Sequence, residues 1–376
     1  MKELTNKNTV TSGELSQIIE AEINERPENC PPPADVAMPT RSATLPELTV
    51  AVCTRDNPQN LAHCLARLLA LRRLETETPF QIIVVDNAPS TEETKALVAS
   101  RPAIRYIREP RPGLNFARNR ALQEATGELL AFIDDDVIVD RYWLRGLSWA
   151  LARHPDAGAV TGLVLPSELE TEAQILFEKR GGFEKSFETI RYGSSLPGHP
   201  FYPCIGGKFG TGCNMAFRRQ VLLELGGFDE ALDTGAPLPG GGDTDIFYRV
   251  VRAGYPLIYE PQFTVFHKHR RSYKQLKHQL ARSWGQGLMA FVSKSYTKDP
   301  GQRSNLRRLV TWWFHSHLRD LWRSLRGCHE LPPGIILAEI WGGLTGILGA
   351  YPRSVARVKR IRRLYSSPVR HTNITR

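Results

Sequence analysis

The chain has 376 residues, 41% of them hydrophobic and 23% charged, enough for one large α/β core with an appendage or for two ordinary domains. Those proportions exclude wholesale disorder and collagen-like or coiled-coil fibres. The net charge of +10 is uneven, with −8 on residues 1–267 and +18 on residues 268–376, so a mildly acidic body precedes a strongly basic tail.

Residues 1–47 read as a flexible leader. Thr11 and Glu14 have capping-box spacing ahead of a short helical pattern, Leu15, Ile18, Ile19 and Ile23, and the run Pro31-Pro32-Pro33 with Pro39 and Pro46 reads as a linker. The first 25 residues lack the ordered basic start, apolar run and small-residue site of a secretory signal. Cys30, Cys53, Cys64, Cys204, Cys213 and Cys328 show neither C-x-x-C pairs nor finger spacing. That pattern argues against a zinc finger or disulfide framework and for a reducing, cytoplasmic setting.

From Leu48 the pattern becomes regular. Apolar runs at 48–53, 81–85, 104–107 and 129–133 alternate with helical stretches at 61–74, 91–100 and 115–125. Strands apolar on both faces, separated by helices, predict an α/β fold with a mostly parallel sheet covered on both sides. Ligands of such sheets bind beyond the carboxyl ends of the strands. Three of these exits are polar or acidic: Thr54-Arg55, Asp86-Asn87 and Asp134-Asp135-Asp136. Neither a G-x-G-x-x-G turn after the first strand nor a G-x-x-x-x-G-K-[ST] loop is present, so a dinucleotide or P-loop site lacks its phosphate cradle.

Three consecutive carboxylates repel one another unless a cation or hydrogen-bond donors hold them. Alternate residues of an extended chain point the same way, so Asp134 and Asp136 can face one site, a hard oxygen pair suited to Mg2+ or Mn2+. The alternative is a solvated acidic turn or a capping cluster for the next helix. A second cluster follows: Gly226-Gly227-Phe228-Asp229, then Gly240-Gly241-Gly242-Asp243-Thr244-Asp245 at the start of a helical pattern. There Asp243 serves either as a cap or in catalysis. The strand-like Phe263–Phe266 delivers His267 and His269, whose neutral imidazoles suit a metal.

Taken in order, Val52–Arg55, Val84–Asn87, Gly113–Asn119, Phe132–Asp136, Gly226–Asp229, Gly242–Asp245 and His267 resemble a family 2 glycosyltransferase of the GT-A fold, over roughly residues 48–290. The resemblance implies an inverting enzyme that moves one sugar from a nucleotide-sugar donor to a saccharide or lipid-linked acceptor in cell-surface polysaccharide or glycoconjugate synthesis. It places Thr54, Arg55, Asp86 and Asn87 at the donor nucleoside and Arg118 near the diphosphate. It assigns Asp134, Asp135 and Gly242 to the substrate cleft, makes Asp134 and Asp136 the D-x-D pair and His267 a late metal ligand, and makes Asp243 the base. The family's Gly-Gly-Glu-Asp reads Gly241-Gly242-Asp243 here, which leaves Asp245 as a second candidate for the base. A Q-x-x-R-W motif is absent, since Ser283 separates Arg282 from Trp284, and this favours addition of a single sugar. The other readings are a GT-A-like protein that binds nucleotide sugar without turnover, a sugar nucleotidyltransferase and a glycosidase. The last two lack, respectively, a basic triphosphate loop and a reason for His267.

Residues 167–210 interrupt the alternation with Phe177, Phe183, Phe187, Tyr192, Phe201 and Tyr202, read either as an acceptor-binding insertion or as a packed excursion. Beyond 290 the chain turns helical and basic, and residues 291–376 read as an appendage that meets an anionic membrane surface through residues 300–370. Residues 331–351 are mostly apolar. Two prolines, Glu339 and four glycines favour an interfacial segment over a span. No nucleic-acid motif accompanies the charge. The expected location is cytoplasmic, peripheral on the inner face of the cell membrane.

Overall fold

A computed structural model describes residues 45–74, 80–183, 186–196, 199–232 and 238–366. The leader's helical pattern and proline run lie outside these residues. The alternation predicted for the body is present as β1 (Leu48–Thr54), α1 (Pro58–Leu74), β2 (Phe80–Asn87), α2 (Glu93–Ala99), β3 (Ile104–Glu109), α3 (Leu114–Glu124) and β4 (Leu129–Asp134). There follow β5 (Val137–Val139), α4 (Trp143–Arg153), β6 (Ala159–Pro166), α5 (Glu172–Lys179), β7 (Ile190–Tyr192), β8 (Asn214–Arg218), α6 (Arg219–Glu224), α7 (Gly242–Arg252) and β9 (Leu257–His267). The C-terminal part comprises α8 (Tyr273–Gln279), a π-helical segment (Leu280–Gln286), α9 (Gly287–Lys298), α10 (Arg303–Leu325), α11 (Pro333–Thr345), a π-turn (Gly346–Ala350) and α12 (Tyr351–Ser366).

One sheet runs β3-β2-β1-β4-β8-β6-β9-β5, with β7 paired to β9. Strands β3, β2, β1 and β4 are parallel, as the helical crossovers between them require. Beyond β4 the sheet is mixed. β8 runs antiparallel to both β4 and β6, while β6 and β9 are parallel. The reason is where β8 begins: the chain reaches it through Gly210–Cys213, at the end of the sheet where β4 finishes, so it enters running the opposite way.

Alternation along each strand builds two cores. Val50, Val52, Ile82, Val84, Ala131 and Ile133 pack with Leu61 and Leu65 of α1 and Trp143 and Leu147 of α4. On the other face, Ala51, Ile83, Val85, Leu130 and Phe132 pack with Ala117 of α3, Leu222 of α6 and Phe247 of α7. Each fully buried Val, Leu, Ile or Phe contributes about 1.5–3 kcal/mol. The site therefore rests on a sheet edge that is stiff on both sides.

Residue 290 falls inside α9, so the boundary expected there does not coincide with a break in secondary structure. The run Pro333–Ser366 is long and apolar enough, by length and composition, to cross a membrane. It is not a continuous straight helix, since Leu348 and Gly349 leave helical geometry. Its inner face is tied to the body. Glu339, 1% exposed, receives Arg180 at 2.8 and 3.1 Å and lies 3.5 Å from His317 of α10. A Cβ on Gly342 would meet the Ala281 carbonyl of the π-helical segment, and one on Gly285 would come within 2.5 Å of the Glu339 carbonyl. Breaking a buried pair such as Arg180–Glu339 costs about 3–5 kcal/mol, because the surviving charge is left unpaired.

Candidate active site

The register of the parallel strands gathers the polar exits at one edge. Thr54 lies opposite Asp86, and Cys53 opposite Asp134. Two antiparallel pairings complete the set: Val137 opposite His267 brings the histidine beside Asp136, and Ile133 opposite Asn214 brings Cys213 beside Asp134.

The triple aspartate divides at the end of β4, with Asp134 closing the strand and Asp135 and Asp136 forming the turn into β5. Asp135 turns toward β1, accepting from Thr54 Oγ1 at 2.5 Å and Asn57 Nδ2 at 2.9 Å. It braces the two strand exits against each other, and the Thr54 hydroxyl proton is spent in doing so. Asp134 and Asp136 face the cleft. Arg118 Nη2 lies 3.8 Å from Asp134 Oδ1 and donates to the Gly212 carbonyl at 3.3 Å. Asp136 Oδ1 lies 3.4 Å from His267 Nε2.

The histidine is held by a relay. His269 Nε2 is 2.8 Å from Glu178 Oε1, and His269 Nδ1 is 3.3 Å from His267 Nδ1. A carboxylate can only accept, so His269 donates through Nε2. In the tautomer in which His269 Nδ1 accepts the Nδ1–H of His267, the Nε2 lone pair of His267 is aimed at an Asp136 oxygen. Two acceptors that face each other need a proton or a cation between them. Burial drives the His267 pKa down to about 3, so the imidazole is neutral and fit to ligate. Asp134, Cys213 and His267 place one ligand atom each within 4.8 Å of one another. The carboxylates and the neutral imidazole fit a divalent cation such as Mn2+, whereas burial pushes the Cys213 thiol well above its ordinary value and keeps it from acting as a thiolate ligand.

Burial, first, and the mutual repulsion of the carboxylates raise Asp135 to about 7. Burial raises Asp134 and Asp136 as well. The metal-free fold therefore holds protons that an unfolded chain has released by about pH 4, so these groups lose stabilising effect as pH rises toward 7. A cation replaces those protons, while His267 stays neutral above about pH 3 and does not compete. We expect the rise in Tm on adding Mn2+ to be larger at about pH 7.5 than at about pH 5.5. Thermal unfolding with and without Mn2+ across that range measures it, and a flat or falling profile would exclude proton–metal competition at these carboxylates.

The two candidates for the base separate cleanly. Asp245 is 1% exposed, and its oxygens receive Lys294 at 2.7 Å and Arg249 at 2.8 Å. It does not face the cleft. Lys294 also meets Asp229 at 2.8 Å, and Tyr351 of α12 donates to Asp229 at 2.9 Å, so the pair belongs to a buried network that fastens α7, α9 and α12. Asp243 is half-buried at the start of α7. Its Oδ2 accepts from Gly212 N at 3.1 Å and its Oδ1 from Thr244 N at 2.7 Å. Gly212 thus links Asp243 to Arg118 and, through it, to Asp134.

Gly241 has φ +88°, the left-handed turn that admits α7. Gly242 is buried, and a Cβ there would run into the Asn115 amide and the Leu232 carbonyl. Its position serves close packing, with no opening to the cleft. Asn115 occupies the space that a Glu side chain would need, donating to the Asp229 carbonyl at 2.8 Å.

At the nucleoside end, Asp86 is fully buried. Tyr106 donates to its Oδ2 at 2.9 Å, while Oδ1 has no hydrogen-bond partner. Burial raises its pKa. Asn87 spends its amide on the protein, donating to the Arg111 carbonyl at 2.8 Å and accepting from Gly113 N at 2.9 Å. It shapes the entry to α3, which carries Arg118. Arg55 is exposed beside Asp56 at 3.7 Å. Most aromatics of the 167–210 excursion pack inward: Phe177, Tyr192 and Phe201 are buried, and Phe183 lies 5.2 Å from the His267 ring. Phe187 alone among those six is exposed.

Sequence reasoning missed Tyr106, Asn57, Glu178, Gly212, Lys294 and the approach of Cys213. Gly212 and Cys213 stand where the chain enters β8 beside the end of β4, a placement that comes from strand pairing.

Residues 49–226 match the model of glycosyl transferase family 2. That stretch, just under half of the chain, is similar to that family. The resemblance read from the motifs is borne out over that stretch. The succinoglycan biosynthesis protein ExoM of Rhizobium meliloti is 28% identical over 57% of this chain and 64% of its own length. The pre-mycofactocin glycosyltransferase of Mycobacterium tuberculosis is 27% identical over 63% of this chain and 45% of its own. The chain thus spans about half to two thirds of the length of these relatives. A mannosyltransferase from Pyrobaculum calidifontis, solved with GDP-Man and Mn2+, aligns over 94% of this chain and 86% of that one at 18% identity and a TM-score of 0.48.

Proposed function

We propose that this enzyme transfers one sugar from a nucleotide-sugar donor to a saccharide or lipid-linked acceptor, with a divalent cation and with inversion at the anomeric carbon. The observation that carries the reading is the convergence, at one sheet edge, of a buried carboxylate with an unused oxygen (Asp86), an acceptor-only pocket (Asp134, Asp136, His267) and a cleft-facing carboxylate (Asp243).

Asp86 Oδ1 would accept an N–H of the donor base, with Thr54 and Arg55 flanking the nucleoside. Arg118, braced by Asn115 and Gly212, would lie behind the diphosphate. Asp136, His267 and Asp134 would hold the cation. When bound, that cation supplies Lewis-acid neutralisation of the leaving diphosphate. The acceptor oxygen attacks the anomeric carbon, its proton passes to Asp243, and the bond to the diphosphate oxygen breaks with the electron pair leaving on the nucleotide. Attack from the face opposite the diphosphate inverts the centre. The Gly212 N–H keeps the Asp243 carboxylate oriented, so little reorganisation is needed during transfer.

By likeness to the relative named for succinoglycan biosynthesis, the product belongs to cell-surface polysaccharide or glycoconjugate synthesis. Residues 48–290 would carry the chemistry, and the basic helices beyond them would meet the inner face of the membrane. A panel of UDP-, GDP-, dTDP- and CDP-sugars with Mn2+ or EDTA tests the reading, with thermal shift and nucleotide release followed together. We expect one donor to raise Tm only with Mn2+ and to release its nucleotide slowly. A shift without release, even with acceptor extract, would replace the transferase reading with binding alone.

A further inference from the structure

The transfer reaction leaves one surface unexplained. On α11 and the turn after it, Leu337, Trp341, Leu344 and Leu348 recur at spacings of four, three and four residues and are 51%, 67%, 40% and 70% exposed. On α10, Leu318, Trp322 and Leu325 form a second exposed stripe. The two helices run antiparallel, with His317 facing Glu339 and Ser324 donating to the Leu331 carbonyl, a register that brings Leu318 of one stripe level with Leu337 of the other.

Helix α10, which carries one of these stripes, and α12 after them are rich in cationic groups. Residues 303–366 hold twelve Arg and Lys against three acids, and one of those acids, Glu339, is buried. The Arg326 guanidinium covers the Trp322 ring at 3.7 Å. At the start of α10, Arg307, Arg308, Trp312, His315 and Phe201 line a groove of about 570 Å³. Trp and Leu that project between arginines match the interface of an anionic bilayer, where rings sit at headgroup depth and guanidinium groups meet phosphate.

We propose that this face docks onto one leaflet of an anionic phospholipid bilayer, with Trp341 and Leu348 entering the acyl region and α11 lying in the interface plane. The inner face of α11 opposes a crossing orientation. To span, the helix would have to strip Glu339 from Arg180 and pull Gly342 from the Ala281 carbonyl. The docking has a consequence for the acceptor. The π-helical segment under α11 contacts the base loop, since Ser283 and Gly287 leave room only for glycine at 240 and 241. The leaflet then lies one helical layer from Asp243, which favours a lipid-linked acceptor. That choice of acceptor rests on the transferase reading, and the docking does not.

Sedimentation of the full chain with phosphatidylcholine vesicles, with or without phosphatidylglycerol, tests the docking. Tryptophan quenching by bromine-labelled acyl chains reports insertion. We expect binding only with phosphatidylglycerol, weakening with salt, and quenching on binding. The double variant Trp341→Ser, Leu348→Ser should bind more than about tenfold more weakly, with Tm and the donor-induced shift unchanged. Three results would overturn the proposal: no vesicle binding by the wild type, with or without self-association through this face; equal binding by the double variant; or a chain that needs detergent to stay in solution. Because the donor-induced shift is read without vesicles, failure of the transferase reading is seen separately.

Discussion

Asp243→Asn lowers kcat by about 10²–10⁴-fold while the donor-induced thermal shift and Tm stay near wild type. The substitution keeps the shape and an oxygen that can accept from the Gly212 N–H at the present 3.1 Å position, but it removes the group that takes the acceptor proton. KM for the donor should move little, because Asp243 lies at the start of α7 and the nucleoside end is built from Asp86 and Tyr106. Asp245→Asn gives the opposite split. Asp245 receives Lys294 and Arg249 in the interior, so weakening that network lowers stability by up to about 3–5 kcal/mol and affects rate only through folding. Steady-state kinetics with thermal unfolding of both variants separates the two. If Asp245→Asn keeps its Tm and loses turnover, the assignment of the base is wrong.

The body of the fold was legible because its signal is local. Fully apolar runs such as Ile82–Val85 and Leu129–Ile133, each ending in a polar exit, are buried parallel strands, and the exits meet because the register is fixed by burial on both faces. The antiparallel entry of β8 was not legible, since it depends on where a long excursion returns to the sheet. The site shows the same division. Asp134 and His267 close strands and Asp136 lies in the turn after β4, so all three could be read from the strand exits. Tyr106, Glu178 and Lys294 act by long-range contact, and sequence spacing carries no trace of it. The Gly242 departure looked like a weakness in the base motif. In the fold it is a packing requirement, since a Cβ there would meet the Asn115 amide and the Leu232 carbonyl.

Asp136→Ala should abolish the Mn2+-induced rise in Tm and lower transfer on the order of 10³-fold, yet leave the metal-free protein as stable as wild type or more so. The sign follows from what the carboxylate does without a cation. Its oxygen faces His267 Nε2 at 3.4 Å, a contact between two acceptors when that nitrogen carries its lone pair, and burial already raises its pKa against the lowering effect of Arg270 and Lys268. Removing it relieves that opposition and one buried charge. A purely structural aspartate, such as Asp135 with its bonds to Thr54 and Asn57, would behave in reverse, losing stability on substitution with metal affinity mostly retained. Thermal unfolding of both variants with EDTA and across an Mn2+ titration, alongside transfer rates, reads the two roles independently. An Asp136→Ala protein that still responds to Mn2+ as the wild type does would move the metal away from this pair. The remaining donors, Asp134 and His267, would then define its position.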